Sequence, residues 1–362
     1  MEGLITLRIR KNYNRKILMQ FMNKYNSTDN NTEKIFIAGG SGMVGSAIKK
    51  RYINMINNNE LKNKNILTPT KDELDCTNFI EVENWFKNNK PNTVILAAAK
   101  VGGIYANYTK PAEFILNNLK IQNNLIEISC NYQIEKFLFL GSSCIYPKYA
   151  KQPIKEEELL NGSLEETNQF YALAKIAGIK LCEALKIQKG FNAICLMPTN
   201  LYGPGDNYND LESHVMPALI KKFLIAKNDN LKSVTCWGDG KPLREFLYVD
   251  DLAKACIFTL DKYFSNKKYL PKDSNGKPLF WLNVGSNSEI SIKNLAEKIA
   301  KIIGYKGLIN WDKEKPNGTP RKKLDTSKLE QLGWKSITSL DQGIKLTIEA
   351  FQEELKKDTL RT

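Results

Sequence analysis

The 362-residue chain contains one histidine, His214, and its seven cysteines include no C-x-x-C pair. That scarcity excludes the Cys/His clusters that hold structural zinc, so no metal is expected. An odd number of cysteines without that spacing fits a reducing compartment in which they stay as thiols. Nowhere does an apolar run reach the roughly 18 to 20 residues of a membrane span, and ILMQFM at 17–22 is too short and interrupted for a signal-peptide core. A soluble, cytoplasmic protein with no membrane partner is the expectation. No internal repeat is visible, which sets a repeat architecture aside. Acids are the scarcer charge, 39 against 53 Lys and Arg, for a net charge of +14. Such an excess suits an anionic partner. The lysines are scattered among Asn-rich stretches such as Asn57 to Asn59, with no interleaved basic-aromatic run and no RNA-binding signature. Nucleic acid is therefore not expected as a partner.

What remains is ordinary for a globular enzyme: 42% hydrophobic, 10% aromatic and 25% charged residues. The length corresponds to about two domains, enough to bury a core without metals or disulfides. Residues 1–33 carry six Lys and Arg against three acids and end in NSTDNNTE, which reads as an extension outside the folded part. From Lys34 the pattern changes to short, nearly continuous apolar runs at 34–40, 65–70, 92–99, 135–143 and 191–199. Runs of that kind belong to strands buried on both faces. Helix-period segments at 113–130 and 170–189 lie between them. Alternating units of this sort predict an α/β fold, a Rossmann-type doubly wound parallel sheet spanning 34–200. After residue 200 the regularity gives way to LYGPGDNYND and mixed segments, with helices predicted at 214–228 and 291–303. Residues 201–362 are expected mainly as a smaller substrate lobe, with some segments returning to the first domain.

Gly39, Gly40, Ser41, Gly42, Met43, Val44 and Gly45 follow the first strand and precede a helix. In that context the first glycine permits a tight turn, Gly42 lets backbone approach a pyrophosphate, and Gly45 lets helix pack on strand. The second strand of a dinucleotide fold commonly ends in an acid that holds the ribose hydroxyl of NAD. Here Lys71 stands at that point, with acids only at Asp72, Glu73 and Asp75. A cation there favours a 2′-phosphate, hence NADP(H), with Asp75 as a candidate for the adenine amino group. Tyr171 and Lys175 lie four apart and so share one face of a predicted helix. A nearby ammonium favours the phenolate and makes tyrosine usable in proton transfer. Ser142, at the end of a strand, would orient a substrate carbonyl.

Together with this glycine pattern, LGSSCIYP at 140–147, YALAK at 171–175 and REFLYVDDLA at 244–253 resemble the extended short-chain dehydrogenase/reductase superfamily. Within it, AAAKVGGIYAN at 97–107, GSSCIYPKYAKQPI at 141–154, MPTNLYGPGDN at 197–207 and SHVMPALIKKF at 213–223 resemble the GDP-L-fucose synthase family. The resemblance runs from about Lys34 to the C-terminus. It implies epimerisation of GDP-4-keto-6-deoxy-D-mannose at carbons 3 and 5, then NADPH reduction at carbon 4. It also implies a homodimer formed through the helices at 113–130 and 170–189.

Position by position, the resemblance makes Ser142, Tyr171 and Lys175 the reductase triad, and Cys144 and His214 the epimerase acid/base pair. Leu140 to Ser143 and Pro198, Thr199, Asn200 and Leu201 match cofactor-lining stretches, with Lys175 and His214 also against the cofactor. Lys222, Trp237, Arg244, Asn317 and Lys322 match positions that hold the GDP-sugar. Ser41 stands where many bacterial members have a base, and Asn317 where an acid is often found. His214, behind a possible Ser213 cap near a helix N-terminus, is expected to stay neutral. A dehydratase of the same superfamily would want an Asp-Glu pair where Ser143-Cys144 stands. Another nucleotide-sugar epimerase or reductase, or a catalytically silent NADP sensor, is the remaining alternative, and the intact Tyr171 and Lys175 speak against the last.

Overall fold

Side chains of the apolar runs alternate between two separate cores, as the pleat of a strand requires. In a computed structural model, which describes residues 32–265, 271–315 and 317–362, these runs form β1 (Glu33–Ala38), β2 (Lys64–Leu67), β3 (Thr93–Leu96), β4 (Lys136–Leu140) and β5 (Ala193–Pro198). Phe36, Val94, Phe137, Phe139, Cys195 and Met197 face one core, while Ile35, Ile37, Ile95, Leu138, Leu140, Ile194 and Leu196 face the other. The extension expected over 1–33 lies, as far as residue 31, outside the described residues.

Each face is covered by amphipathic helices. The first core is closed by α2 (Phe79–Asn89), α4 (Pro111–Asn131) and α5 (Gln169–Lys189), and the second by α1 (Met43–Asn57) and α7 (Val249–Ser265). A short helix, α3 (Ile104–Thr109), precedes α4. Fully burying one such Phe, Leu or Ile contributes about 1.5–3 kcal/mol relative to leaving it exposed. The spans differ from expectation mainly at their ends. Strand β2 stops at Leu67 because Thr68-Pro69 follows, and proline has no N–H to give a ladder.

With Trp281–Val284 as β9, the sheet order is β2-β1-β3-β4-β5-β9, and β1 pairs in parallel with β3, β3 with β4, β4 with β5 and β5 with β9. Its sixth strand, β9 (Trp281–Val284), comes from the C-terminal half, as does α7. The chain runs outward from β1 to β2 and then back across to β3, so the order reverses between β1 and β3. Ligands of open α/β sheets bind at that switch point, beyond the carboxyl ends of the strands.

A third core belongs to the smaller lobe. It gathers Met216, Ile220 and Phe223 of α6 (Val215–Asn228), Leu295 and Ile299 of α8 (Ile292–Ile303), and Ile344, Ile348 and Phe351 of the last helix, Leu340–Lys356. Between α8 and that helix lies a single-turn helix, α9 (Ser327–Gln331), so the last is α10. Two small sheets complete the lobe. Strand β8 (Leu243–Tyr248) pairs with β6 (Asn200–Tyr202), β10 (Glu289–Ser291) and β12 (Arg321–Lys322), and β7 (Ser233–Trp237) pairs with β11 (Leu308–Asp312).

Candidate active site

Between β1 and α1 the backbone turns at Gly39, whose φ of +82° favours glycine. The Gly42 N–H closes that turn on the Gly39 carbonyl at 3.0 Å. A Cβ on Gly45 would run into the Gly39 carbonyl, so the helix can start only this close to the strand with glycine there. Gly42 differs, because a Cβ there would have Gly39 O at 3.5 Å and the Arg361 guanidinium at 3.9 Å. Gly42 is the N-cap of α1, has no side chain to cap it, and is followed by a first turn without acids. Unpaired N–H groups and the helix dipole at that open face suit a phosphate. Gly40 instead packs toward Thr68 and is the one member of the glycine loop that does not reach the cavity wall.

At the end of β2, Thr70 N–H donates to the Glu73 carboxylate at 2.7 Å and the Thr70 hydroxyl accepts from Glu73 N–H at 3.3 Å. That reciprocal turn presents Lys71 to the cavity and leaves Asp72 off it. Asp72, exposed, does not line the cavity, unlike its neighbour Lys71. Asp75 reaches the wall, but Thr77 N–H and Oγ1 already donate to its Oδ1 at 2.9 and 2.8 Å. Those bonds hold its pKa below the usual carboxylate value, with Lys71 adding to the effect.

The end of β4 carries Ser142, which caps a single turn at Ser143–Ile145 and accepts Cys144 N–H at 3.2 Å. Its hydroxyl is also close enough to the Tyr171 phenol to lower that group's pKa. One turn along α5 from Tyr171, the buried Lys175 lies behind the wall, its ammonium donating to the Leu140 carbonyl at 2.8 Å and standing 5.8 Å from the centre of the Tyr171 ring. Leu140 is likewise behind the wall, whereas Ser143 lines it. Burial pushes the Lys175 ammonium down to about 7. Burial and then Cys144 push the Tyr171 phenol up, and only Ser142 lowers it. Lys175 thus lies over the Tyr171 ring, as the four-residue spacing implies, with one of its three N–H groups held by a backbone carbonyl. A phenol that keeps its proton is suited to act as an acid.

At the end of the neighbouring strand β5, Pro198, Thr199, Asn200 and Leu201 line the cavity, held where Thr199 Oγ1 and Asn200 Nδ2 both donate to the Glu245 carbonyl, at 3.1 and 2.8 Å. His214 is itself the N-cap of α6, with no side-chain cap bond, so Ser213 is not the cap. Surrounding protein lowers its pKa, which favours the neutral imidazole. Lys222, Trp237, Arg244, Asn317 and Lys322 line the far end. There Lys222 Nζ donates to the Thr235 carbonyl at 2.7 Å, and Arg244 donates to the carbonyls of Leu243 and Asn317 at 2.9 and 3.4 Å. Asn317 Oδ1 accepts Asp239 N–H at 3.0 Å, a bond that an amide oxygen makes without adding charge.

The pattern of the NAD dependent epimerase/dehydratase family matches residues 35–271. The chain belongs to that family. Within it, GDP-L-fucose synthase 1 of Arabidopsis thaliana is 49% identical over 323 residues, covering 89% of this chain and 94% of the relative. GDP-L-fucose synthase of Escherichia coli (strain K12) is 46% identical over 322 residues, covering 89% and 97%. A solved GDP-mannoheptose C4 reductase from Campylobacter jejuni with NADP bound superposes with a TM-score of 0.76 at 34% identity, covering 90% of this chain and all of that one. The motif resemblance and the doubly wound parallel sheet are borne out by these relatives.

Epimerase/dehydratase-family motifs pointed to the cavity but not to all of it. Asn168, three residues before Tyr171, donates from Nδ2 to Cys144 Sγ at 3.5 Å, and its buried Oδ1 has no partner among the described residues. An Asn at a helix start ordinarily reads as a cap, and only the fold shows that this one turns to the cysteine. Arg361, far along the chain, also lines the cavity.

Proposed function

We propose that this chain converts GDP-4-keto-6-deoxy-D-mannose to GDP-L-fucose by epimerisation at carbons 3 and 5 and reduction at carbon 4 with NADPH. The observation that carries the reading is a single cavity of about 1320 Å³ lined by the glycine loop, by Ser142, Cys144 and Tyr171, by His214 and by the cations Lys222, Arg244 and Lys322. That volume exceeds the usual single-ligand cleft, in keeping with a dinucleotide and a sugar nucleotide held together. The synthases at 46% and 49% identity over most of the chain support the same substrate.

NADPH, when bound, supplies the hydride. The glycine loop and Lys71 fit its phosphates: Gly42 leaves an open, acid-free helix start, and Lys71 stands where an acid would repel a 2′-phosphate. Tyr171 donates its proton to the oxygen on carbon 4, and its raised pKa retains that proton until transfer. Ser142 holds the same oxygen through its hydroxyl, and Lys175 fixes α5 to the end of β4. A ketone at carbon 4 acidifies the hydrogens at carbons 3 and 5, so one carbonyl serves both inversions. Each inversion removes a proton from one face and returns one to the other, which takes two groups, here Cys144 and a neutral His214. Lys222, Arg244 and Lys322 take the diphosphate, Trp237 the base or sugar, and Asn317 a substrate hydroxyl.

Outward-facing Leu116 on α4 and Leu173 on α5 support a homodimer through that helix pair. No helix of the described residues is long and apolar enough to cross a membrane, which accords with work in the cytoplasm. Incubation with the keto sugar and NADPH, followed by NMR of the product, tests the reading. Formation of GDP-L-fucose supports it. A reduced sugar with unaltered carbons 3 and 5, or no oxidation of NADPH, counts against it.

A further inference from the structure

Beyond α10 the chain folds back on itself, with Thr359 N–H donating to the Glu354 carbonyl at 2.9 Å. The tail and the end of α10 are each tied to the loop after β6. Tyr208 N–H donates to the Arg361 carbonyl at 2.8 Å, and Gly205 N–H to Glu354 Oε1 at 2.9 Å. That loop rests on the first turn of α1, where a Cβ on Gly205 would stand 3.7 Å from Met43 Cα and 3.8 Å from Ser46 Oγ. The tail is thereby carried to the glycine loop, and the Arg361 guanidinium faces the open side of Gly42 at 3.9 Å from where a Cβ would be.

Among the described residues this guanidinium has no hydrogen bond or ion pair, although it lines the cavity. Nearby Asp206 is buried, also lines the cavity, and has one carboxyl oxygen without a partner. Burial pushes its pKa up to about 7 despite the attraction of Arg361, so it opposes an incoming anion less than a full carboxylate would. The glycine loop itself offers only Ser41 and no cation, and the first turn of α1 has no acid for Arg361 to pair with. A planar, permanently charged fork aimed at an unpaired helix start matches a diphosphate in shape and charge.

We propose that Arg361 and the tail that carries it form a clamp on the diphosphate bridge of the dinucleotide, closing over Gly42 from the side the glycine loop leaves open. This rests on the reading of that loop as the dinucleotide site. Binding of the tail to loop 203–208 makes the clamp a fixed part of the fold, supplied by the far end of the chain. Arginine here provides the side-chain cation that Ser41 does not.

Calorimetric titration of wild type, Arg361→Ala and Arg361→Lys with NADP⁺ and with NAD⁺ tests the clamp. Arg361→Ala is expected to bind both dinucleotides about 10-fold more weakly, equivalent to about 1.4 kcal/mol. Arg361→Lys should recover part of the loss, because a point charge replaces the fork. Addition of NADP⁺ should slow hydrogen exchange at the Tyr208 and Thr359 amides in wild type and not in Arg361→Ala, while circular dichroism shows both equally folded. Unchanged affinity in Arg361→Ala overturns the clamp, and so does a loss confined to NADP⁺, which would assign Arg361 to the 2′-phosphate instead. Failure of wild type to bind either dinucleotide would overturn the underlying reading of the glycine loop.

Discussion

Tyr171 and Lys175 sit one turn apart on a 21-residue helix packed against the main sheet, whereas His214 caps a helix of the second lobe and lines the same cavity as Cys144. The proposed reductase side is thus one unit, with Ser142 beside Tyr171 and Lys175 bonded to the end of the strand that leads to Ser142. The proposed proton-transfer side is assembled from two lobes, and among the described residues its cysteine is held by a short turn and the Asn168 amide. A single helix fixes hydride geometry, which tolerates little misalignment. Proton carriers on opposite faces of a sugar cannot share one helix, so they come from separate elements.

The largest test of this division is Tyr171→Phe. Carbon 4 reduction should fall by about 10² to 10⁴, the usual contribution of a positioned general acid. Deuterium from heavy water should still wash into carbons 3 and 5 in the absence of NADPH, since enolisation needs no hydride. Measuring NADPH oxidation and NMR exchange on one sample separates the two, and parallel loss of both would show that the sides are not independent.

Cys144→Ser and His214→Asn break the comparison from the other direction. Each should lower exchange at carbon 3 or 5 by roughly 10² or more, because neither replacement moves a proton well near neutral pH. Cys144→Ser should still reduce the ketone slowly, giving a 6-deoxy sugar of unaltered configuration at carbons 3 and 5. Undiminished exchange in both variants would return Cys144 to the status of an inert thiol.

The two sides also differed in how readable they were. Strand-glycine-helix order and the four-residue spacing of Tyr171 and Lys175 are local, so the sheet and the reductase helix could be drawn from period and spacing alone. His214 and Cys144 are 70 positions apart, and nothing local joins them; only the family motifs around each did so. Local spacing put Lys175 one turn from Tyr171, where its Nζ does stand over that ring; what spacing could not show is that the ammonium is buried and donates to the Leu140 carbonyl. The turn of Asn168 to Cys144, and which of the expected returning segments forms β9, were out of reach, because both depend on which distant segments the packed cores bring together.

A smaller effect is expected at the adenosine end. Lys71→Asp places an acid where the 2′-phosphate would lie, removing a charge-assisted bond of about 1.5–3 kcal/mol. The ratio of kcat/KM for NADPH over NADH should drop roughly 10- to 100-fold, with exchange at carbons 3 and 5 unaffected. Equal use of both cofactors by wild type would remove the reason for this assignment.

The smallest effect is on stability, and it separates the sides by pH. Burial lowers the Lys175 ammonium from 10.5 to about 7, so between those values the unfolded chain binds more protons than the folded one. Stability therefore rises with pH across that window; the cost of burying Lys175 is fully present below pH 7 and gone above 10.5. Lys175→Met removes the titrating group and keeps most of the volume, while losing the bond to the Leu140 carbonyl, which offsets part of the gain. At pH 7 the variant should melt about 2–4 °C above wild type, the response of a large domain to roughly 1 kcal/mol. The gap should close as the pH is raised toward 10, and reduction should be impaired throughout. His214 is exposed to the cavity, and His214→Asn should melt within about 1 °C of wild type, as surface substitutions do. Melting curves of the three proteins from pH 6 to 10 read this directly. A Lys175→Met gap that stays constant or widens with pH would mean that the ammonium is not destabilised by burial, and the reductase side would then hold its lysine without cost.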